Sequence, residues 1–136
     1  MDVIHFPVWR VHFYVDDLGR NVIRHWLYEQ DVSDADRNAL QTLIDICEYS
    51  GPQALSYCTE DLGNGFYSIS SRRKGGPEVR LVYCLGPVGD SEITVLAAAF
   101  VDESGDLKPG YVVGIAEDNL KALQKDQRRW RREPVT

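Results

Sequence analysis

The sequence predicts an α+β domain in which an N-terminal helical hairpin packs on a small antiparallel sheet and a C-terminal helix closes the chain. Apolar residues recur at helical spacing up to Gly51 and at two-residue spacing after it. Three strand-like runs, GFYSISSR, EVRLVYCL and EITVLAAAFV, then follow with only short Gly/Pro-containing connections, which favour antiparallel neighbours. Helices segregated from a meander are the mark of α+β architecture.

Each element has its own local reason. In WRVHFYV, Trp9, Val11, Phe13 and Val15 alternate with Arg10, His12 and Tyr14, so residues 9–15 read as a strand. Gly19 interrupts it, and Val22, Ile23, Trp26 and Leu27 then share one helical face within residues 20–30. Ser33 is an N-cap for a second helix over 33–50, with Asp34 and Asp36 in the first turn, where the macrodipole favours anions. Leu40, Leu43, Ile44 and Cys47 form its apolar stripe, and Ser50-Gly51-Pro52 ends it. Strands are expected near 65–73, 78–86 and 92–102, separated by Lys74-Gly75-Gly76-Pro77 and Gly86-Pro87-Val88-Gly89-Asp90. Pro109 and Gly110 precede a last helix with Val112, Ile115, Ala116, Leu120 and Leu123 on one face.

With 136 residues the chain reads as one domain, 1–136, with a basic tail at about 125–136. The net charge is −6, unevenly spread: residues 1–60 hold four Lys/Arg against ten Asp/Glu, whereas 61–136 hold eleven of each. Such a balance disfavours generic nucleic-acid binding, yet local clusters act through local fields. No apolar run approaches a membrane span, and MDVIHFPVWRV lacks the basic leader of a signal peptide. Cys47, Cys58 and Cys84 form no CxxC pair, so neither a disulfide framework nor a zinc site is expected, and a reducing cytoplasm is the expected location. No His/Asp/Glu spacing suggests another metal.

The order of elements and their landmark residues resemble the RelE/ParE toxin superfamily, most closely its HigB-like, phage-derived branch. The matching segments are WRVHFYVDDLGRNVIRHWL, LGNGFYSIS, VRLVY, ITVLAAAFVDES and PGYVVGIAEDNL, which together cover roughly residues 9–123. The resemblance implies a toxin component of a type II toxin–antitoxin pair. Its expected partners are a cognate antitoxin, of helix-turn-helix type, and the ribosome with its mRNA; neither cofactor nor membrane is expected. The implied activity is ribosome-dependent, metal-independent mRNA cleavage. Other members of the superfamily poison gyrase, and a non-catalytic phage or prophage protein that binds a partner is a further alternative. Ser68 and Ser70 stand where the family carries Glu-x-Arg, and Val101, Asp102 and Glu103 where it carries a Lys pair.

Metal-free RNA cleavage needs a proton acceptor, cations around the phosphorane and a donor for the leaving oxygen. Arg80 is the expected phosphorane cation; its alternative is an ion pair with Asp61, Glu78 or Glu92. Arg72, two residues beyond Ser70 on the same strand face, is the expected second catalytic cation, and Tyr83 the expected proton donor. Arg73 and Lys74 at the Gly-Gly turn would contact RNA phosphates, or form a solvated hairpin tip. Tyr67, Tyr83 and Tyr111 would stack on bases or sit half-buried. In RRWRR, Arg128, Arg129, Arg131 and Arg132 would grip RNA around Trp130 or complement the helix C-terminus. His5, His12 and His25 are expected in packing or surface roles, and Ser68, Ser70 and Ser71 lack a base beside them in sequence.

Overall fold

A computed structural model of the chain describes residues 9–87 and 91–136; His5 and residues 88–90 of the expected turn lie outside the described residues. The fold is α+β. Strand β1 (Arg10–Tyr14) is followed by helices α1 (Val22–Glu29) and α2 (Asp34–Ser50) and a 3₁₀ segment (Pro52–Cys58). Strands β2 (Thr59–Gly63), β3 (Phe66–Arg72), β4 (Glu78–Leu85) and β5 (Glu92–Val101) then form a meander. Short β6 (Leu107–Lys108), helix α3 (Val112–Lys125) and short β7 (Trp130–Arg131) complete the chain.

The expected N-terminal helical hairpin on an antiparallel sheet is corrected in two respects. The helical pair is not N-terminal, because the strand expected at 9–15 precedes it; α1 and α2 lie against the sheet as expected. The sheet itself is mixed: its order is β2-β3-β4-β5-β1-β7, with β6 beside β5, and β1 runs parallel to β5 with Val11 opposite Ile93. The physical reason is the length of the connection. A tight turn can return a strand only antiparallel, whereas the two helices after β1 span a crossover long enough to leave it parallel.

The elements form where local chemistry starts and stops them. Asn21 caps α1, its Oδ1 accepting from the amides of Ile23 and Arg24, both at 3.1 Å. Ser33 Oγ accepts from the Asp36 amide at 3.2 Å and donates to the Asp36 carboxylate at 2.8 Å, an arrangement close to a capping box. Gly51 ends α2 at φ 84°, and a Cβ there would lie 3.0 Å from Trp9 Nε1, so glycine serves both the backbone and the packing.

Strand alternation divides the core between the two faces of the sheet. Val79, Leu81 and Tyr83 of β4 pack with Phe13, Ile23, Leu27, Leu40 and Ile44 beneath α1 and α2. Val82 and Cys84 face the other way and pack with Leu96, Val112, Ala116 and Leu123 beneath α3. A bulge in β5 adds Leu96 between the partners of Val82 and Tyr83. The Leu96 carbonyl accepts from Asn119 of α3 at 2.8 Å. Helices therefore lie on both faces of the sheet, and the side chains left part-exposed on it include Tyr67, Ser70 and Arg80.

Candidate functional site

Arg80 projects from the α3 side of β4, in the row of Val82 and Cys84, and lies opposite Ser70 of β3. Its Nε donates to Ser70 Oγ at 3.1 Å and stands 3.4 Å from Glu78. Its Nη1 is bonded to Glu60 of β2. Glu60 pairs in register with Ser68, on the same face; Asp61, one residue along, points to the opposite face. Glu78 is thus one of the expected ion-pair partners, Glu60 replaces Asp61, and Glu92 lies beside His12 instead. Two carboxylates around one guanidinium leave this locus net negative. A phosphate would have to displace them before the guanidinium could serve it.

Arg72 lies on the same face, at the end of β3 opposite Glu78. It is exposed, and it lines a recess of about 480 Å³ together with Glu78, Asp102 and Glu103. Three acidic side chains around one arginine again oppose an anionic ligand. Arg72 and Lys74 have no ion-pair partner among the described residues.

Arg73 behaves differently from its neighbours. Its Nε lies 3.0 Å from Asp36, which is only 5% exposed although it is ionisable. The hairpin tip therefore docks on the N-terminus of α2. Gly76 belongs to the same contact, because a Cβ there would lie 2.8 Å from Asp36 Oδ1. Of the three consecutive cations, one is structural and two are free to meet solvent.

Tyr83 faces the α1/α2 side, opposite to Arg80 and Arg72, so the three expected catalytic residues do not share a surface. Burial pushes its phenol up to about 12, so it is held neutral and is a poor proton donor at ordinary pH. Tyr67 stacks beside it with ring centroids 5.7 Å apart. The two tyrosines floor a recess of about 390 Å³ walled by the 3₁₀ segment and by Asp61. Tyr111 is exposed at the start of α3, away from this pair. Burial also raises the thiols of Cys47, to about 12, and Cys84, to about 11, which makes both inert at neutral pH.

The RRWRR cations are engaged with the protein itself. Arg128 Nε donates to Asp126 at 2.9 Å, and Arg129 reaches the Tyr14 hydroxyl at 3.4 Å. Arg131 Nη2 donates to the Gly19 carbonyl at 3.2 Å, and Arg132 bonds Glu48 at 3.3 Å. Trp130 pairs with Tyr14 through β7 and meets the His12 ring edge-on at 3.7 Å, so it is not a free stacking platform. His12 is buried, and burial lowers its pKa; Glu92, 3.5 Å away, opposes that shift. His25 is exposed, 3.2 Å from Glu29. Among the described residues no group of three His, Cys, Asp or Glu side chains could hold a metal ion.

Sequence reasoning missed β2, and with it Glu60. The available signal was Asn64-Gly65, a dipeptide characteristic of two-residue hairpins, at φ 55° and 84°. Sequence comparison adds no assignment: no family profile matches the chain, and no curated protein shows significant similarity to it.

Proposed function

We propose that this chain is a RelE-like component of a type II toxin–antitoxin pair that acts by binding a protein partner and does not itself cut RNA. The observation that carries the binding reading is the engagement of Arg80 by Glu60, Glu78 and Ser70. A phosphorane-stabilising cation must be free to meet developing negative charge. Here the nearest charges are two carboxylates, and Tyr83 is directed to the far side of the sheet. The antitoxin, a small helix-turn-helix protein encoded beside the chain, and a cytoplasmic target such as gyrase are the partner classes this reading names. Support for the scaffold comes from the element order of strand, two helices, meander and helix, which the resemblance implies.

The test is induced expression with and without the neighbouring gene, combined with an mRNA cleavage assay on purified ribosomes. Growth arrest relieved by the neighbour, without ribosome-dependent cleavage, is the expected result. Cleavage that disappears in Arg80→Ala at near-native stability would overturn it.

A second reading, ribosome-dependent endoribonuclease, is favoured by one observation: Arg72 and Lys74 are exposed and have no ion-pair partner among the described residues. In that reading they hold the RNA backbone, and docking on the ribosome frees Arg80 from Glu60, whose carboxylate is itself largely exposed.

A further inference from the structure

The geometry points to the Tyr67–Tyr83 recess as a socket for an arginine side chain presented by a protein partner. The inference rests on the partner-binding reading and gives that partner a chemistry. Asp61, Tyr67 and Tyr83 form one cross-strand row over β2, β3 and β4, because Asp61 registers with Tyr67 and Tyr67 with Tyr83. The row is on the α2 side of the sheet, where the 3₁₀ segment stops short of covering it and leaves a cavity of about 390 Å³. The cavity is therefore a product of the fold and is separate from the Arg80 surface on the opposite face.

The lining selects its ligand by charge. Among the described residues Asp61 is the one charged side chain lining the recess, and it makes no ion pair with any of them. One of its oxygens accepts from the Gly63 amide at 2.8 Å, which fixes the carboxylate while leaving the second oxygen available. Tyr83, held neutral by burial, adds no charge. With a carboxylate present and no cation in the lining among the described residues, phosphates and carboxylates are repelled and cations are attracted.

The aromatic floor, presented mainly by half-buried Tyr67 because Tyr83 is only 4% exposed, narrows the choice to a planar cation. A guanidinium stacks on an aromatic face and meets a carboxylate with a fixed fork of donors, whereas an ammonium is compact and strongly hydrated. Arginine carries donors and no acceptor, so the remaining wall must accept hydrogen bonds. Gln53 offers an amide oxygen and Ser56 a hydroxyl. The Thr59 hydroxyl donates to the Leu55 carbonyl at 2.7 Å and accepts from the Tyr83 hydroxyl, which leaves it one lone pair for a ligand. Leu85, 50% exposed at the rim, gives the aliphatic stem and a flanking apolar residue something to cover. A partner segment supplies such flanking residues and a free small cation does not.

The probe is a capped tripeptide with arginine between two leucines, titrated into the full-length protein. Binding is read from the amide resonances of Gly63 and Leu85. Peptides with lysine or citrulline in place of arginine, and capped arginine alone, are compared with it. We expect the arginine peptide to bind, Asp61→Asn to weaken it about five- to tenfold, and the citrulline peptide to lose a similar factor. Asparagine keeps the oxygen that accepts from Gly63, so Asp61→Asn folds as the parent does, and unchanged resonances elsewhere verify this. Equal binding of the citrulline peptide, or no effect of Asp61→Asn, overturns the cation. Equal binding of the lysine peptide overturns the planar group, and capped arginine bound as tightly as the peptide overturns the protein-borne source. The titration needs neither toxicity nor an antitoxin. A negative result removes the socket and leaves the growth and cleavage assays standing, and the failure of those assays leaves the titration readable.

Discussion

Two basic segments of this chain look alike in composition and differ in what the fold does with them. In the tail, Arg128, Arg129, Arg131 and Arg132 all reach acceptors of the protein, on Asp126, Tyr14, Gly19 and Glu48. At the β3–β4 hairpin, Arg73 is committed to Asp36 and Arg80 to Glu60 and Glu78, while Arg72 and Lys74 extend into solvent. The difference shows that counting cations in a segment does not measure the positive field it presents. A guanidinium beside a carboxylate is nearly silent at a distance. The tail uses its charges to fasten the last strand across β1 and α2, helped by Val135, whose amide donates to Gln41 at 2.9 Å. The hairpin uses half of its charges to fasten itself and keeps half for whatever it meets.

The largest break in this comparison comes from Asp36→Ala. It keeps the Asp36 amide that donates to Ser33 Oγ, but removes the carboxylate that accepts from the Ser33 hydroxyl and leaves Arg73 without its partner. Loss of the Ser33–carboxylate hydrogen bond and of a half-screened ion pair to a buried acid together predict about 2 kcal/mol of destabilisation in urea unfolding. A loss below about 0.5 kcal/mol would mean that the tip is as free as Lys74.

Arg80→Ala comes next, at about 1–2 kcal/mol, because half-buried Glu78 is left without its cation. Glu60→Gln should cost only about 0–1 kcal/mol, since that carboxylate is largely exposed. If the two substitutions cost the same, Glu60 is the true anchor and the accounting for this face changes.

A third effect belongs to the tail, through the His12 on which Trp130 packs. Burial lowers the His12 pKa; Arg132 and Arg10 act in the same direction, and Glu92 acts against them. The unfolded chain therefore takes up the proton first, and stability falls as pH falls. The His12 contribution is complete above the ordinary value of 6.5 and is lost as pH drops through the depressed folded pKa. Melting temperature followed across that window should flatten in His12→Gln. An unchanged slope would assign the pH dependence to other groups.

The smallest effect on stability is expected for the joint change of Arg72 and Lys74 to Ser, within about 0.5 kcal/mol. Its use is to separate the two functional readings. If the hairpin holds RNA, the salt dependence of ribosome association should flatten by roughly 0.7 per lost phosphate contact. In the partner-binding reading, association and slope stay as in the parent protein.

Much of the fold was legible because its causes are local. Ser33 and Gly51 bound α2 as their chemistry requires, and the alternation in GFYSISSR and EVRLVYCL yields β3 and β4 within a residue or two of the expected limits. Strand β2 was legible only through its turn: TEDLG is short, charged and without an apolar alternation, and the Asn64-Gly65 turn is what lays it along β3. Arg80 was recognisable as a residue of consequence, and an ion pair was one of its two readings. The identity of the partner turned on whether residue 60 or 61 shares its face, which depends on register.

The sequence by itself determined the three helices, the strands β1, β3, β4 and β5, their order and their alternating faces, because periodicity, caps and turn residues act over a few bonds. Only the tertiary structure decided that β1 lies parallel to β5, that Glu60 reaches Arg80, and that Arg73 reaches an acid 37 residues away. Those outcomes depend on how distant elements dock. Docking is chosen by total burial on both faces of the sheet, and no short stretch of sequence contains that sum.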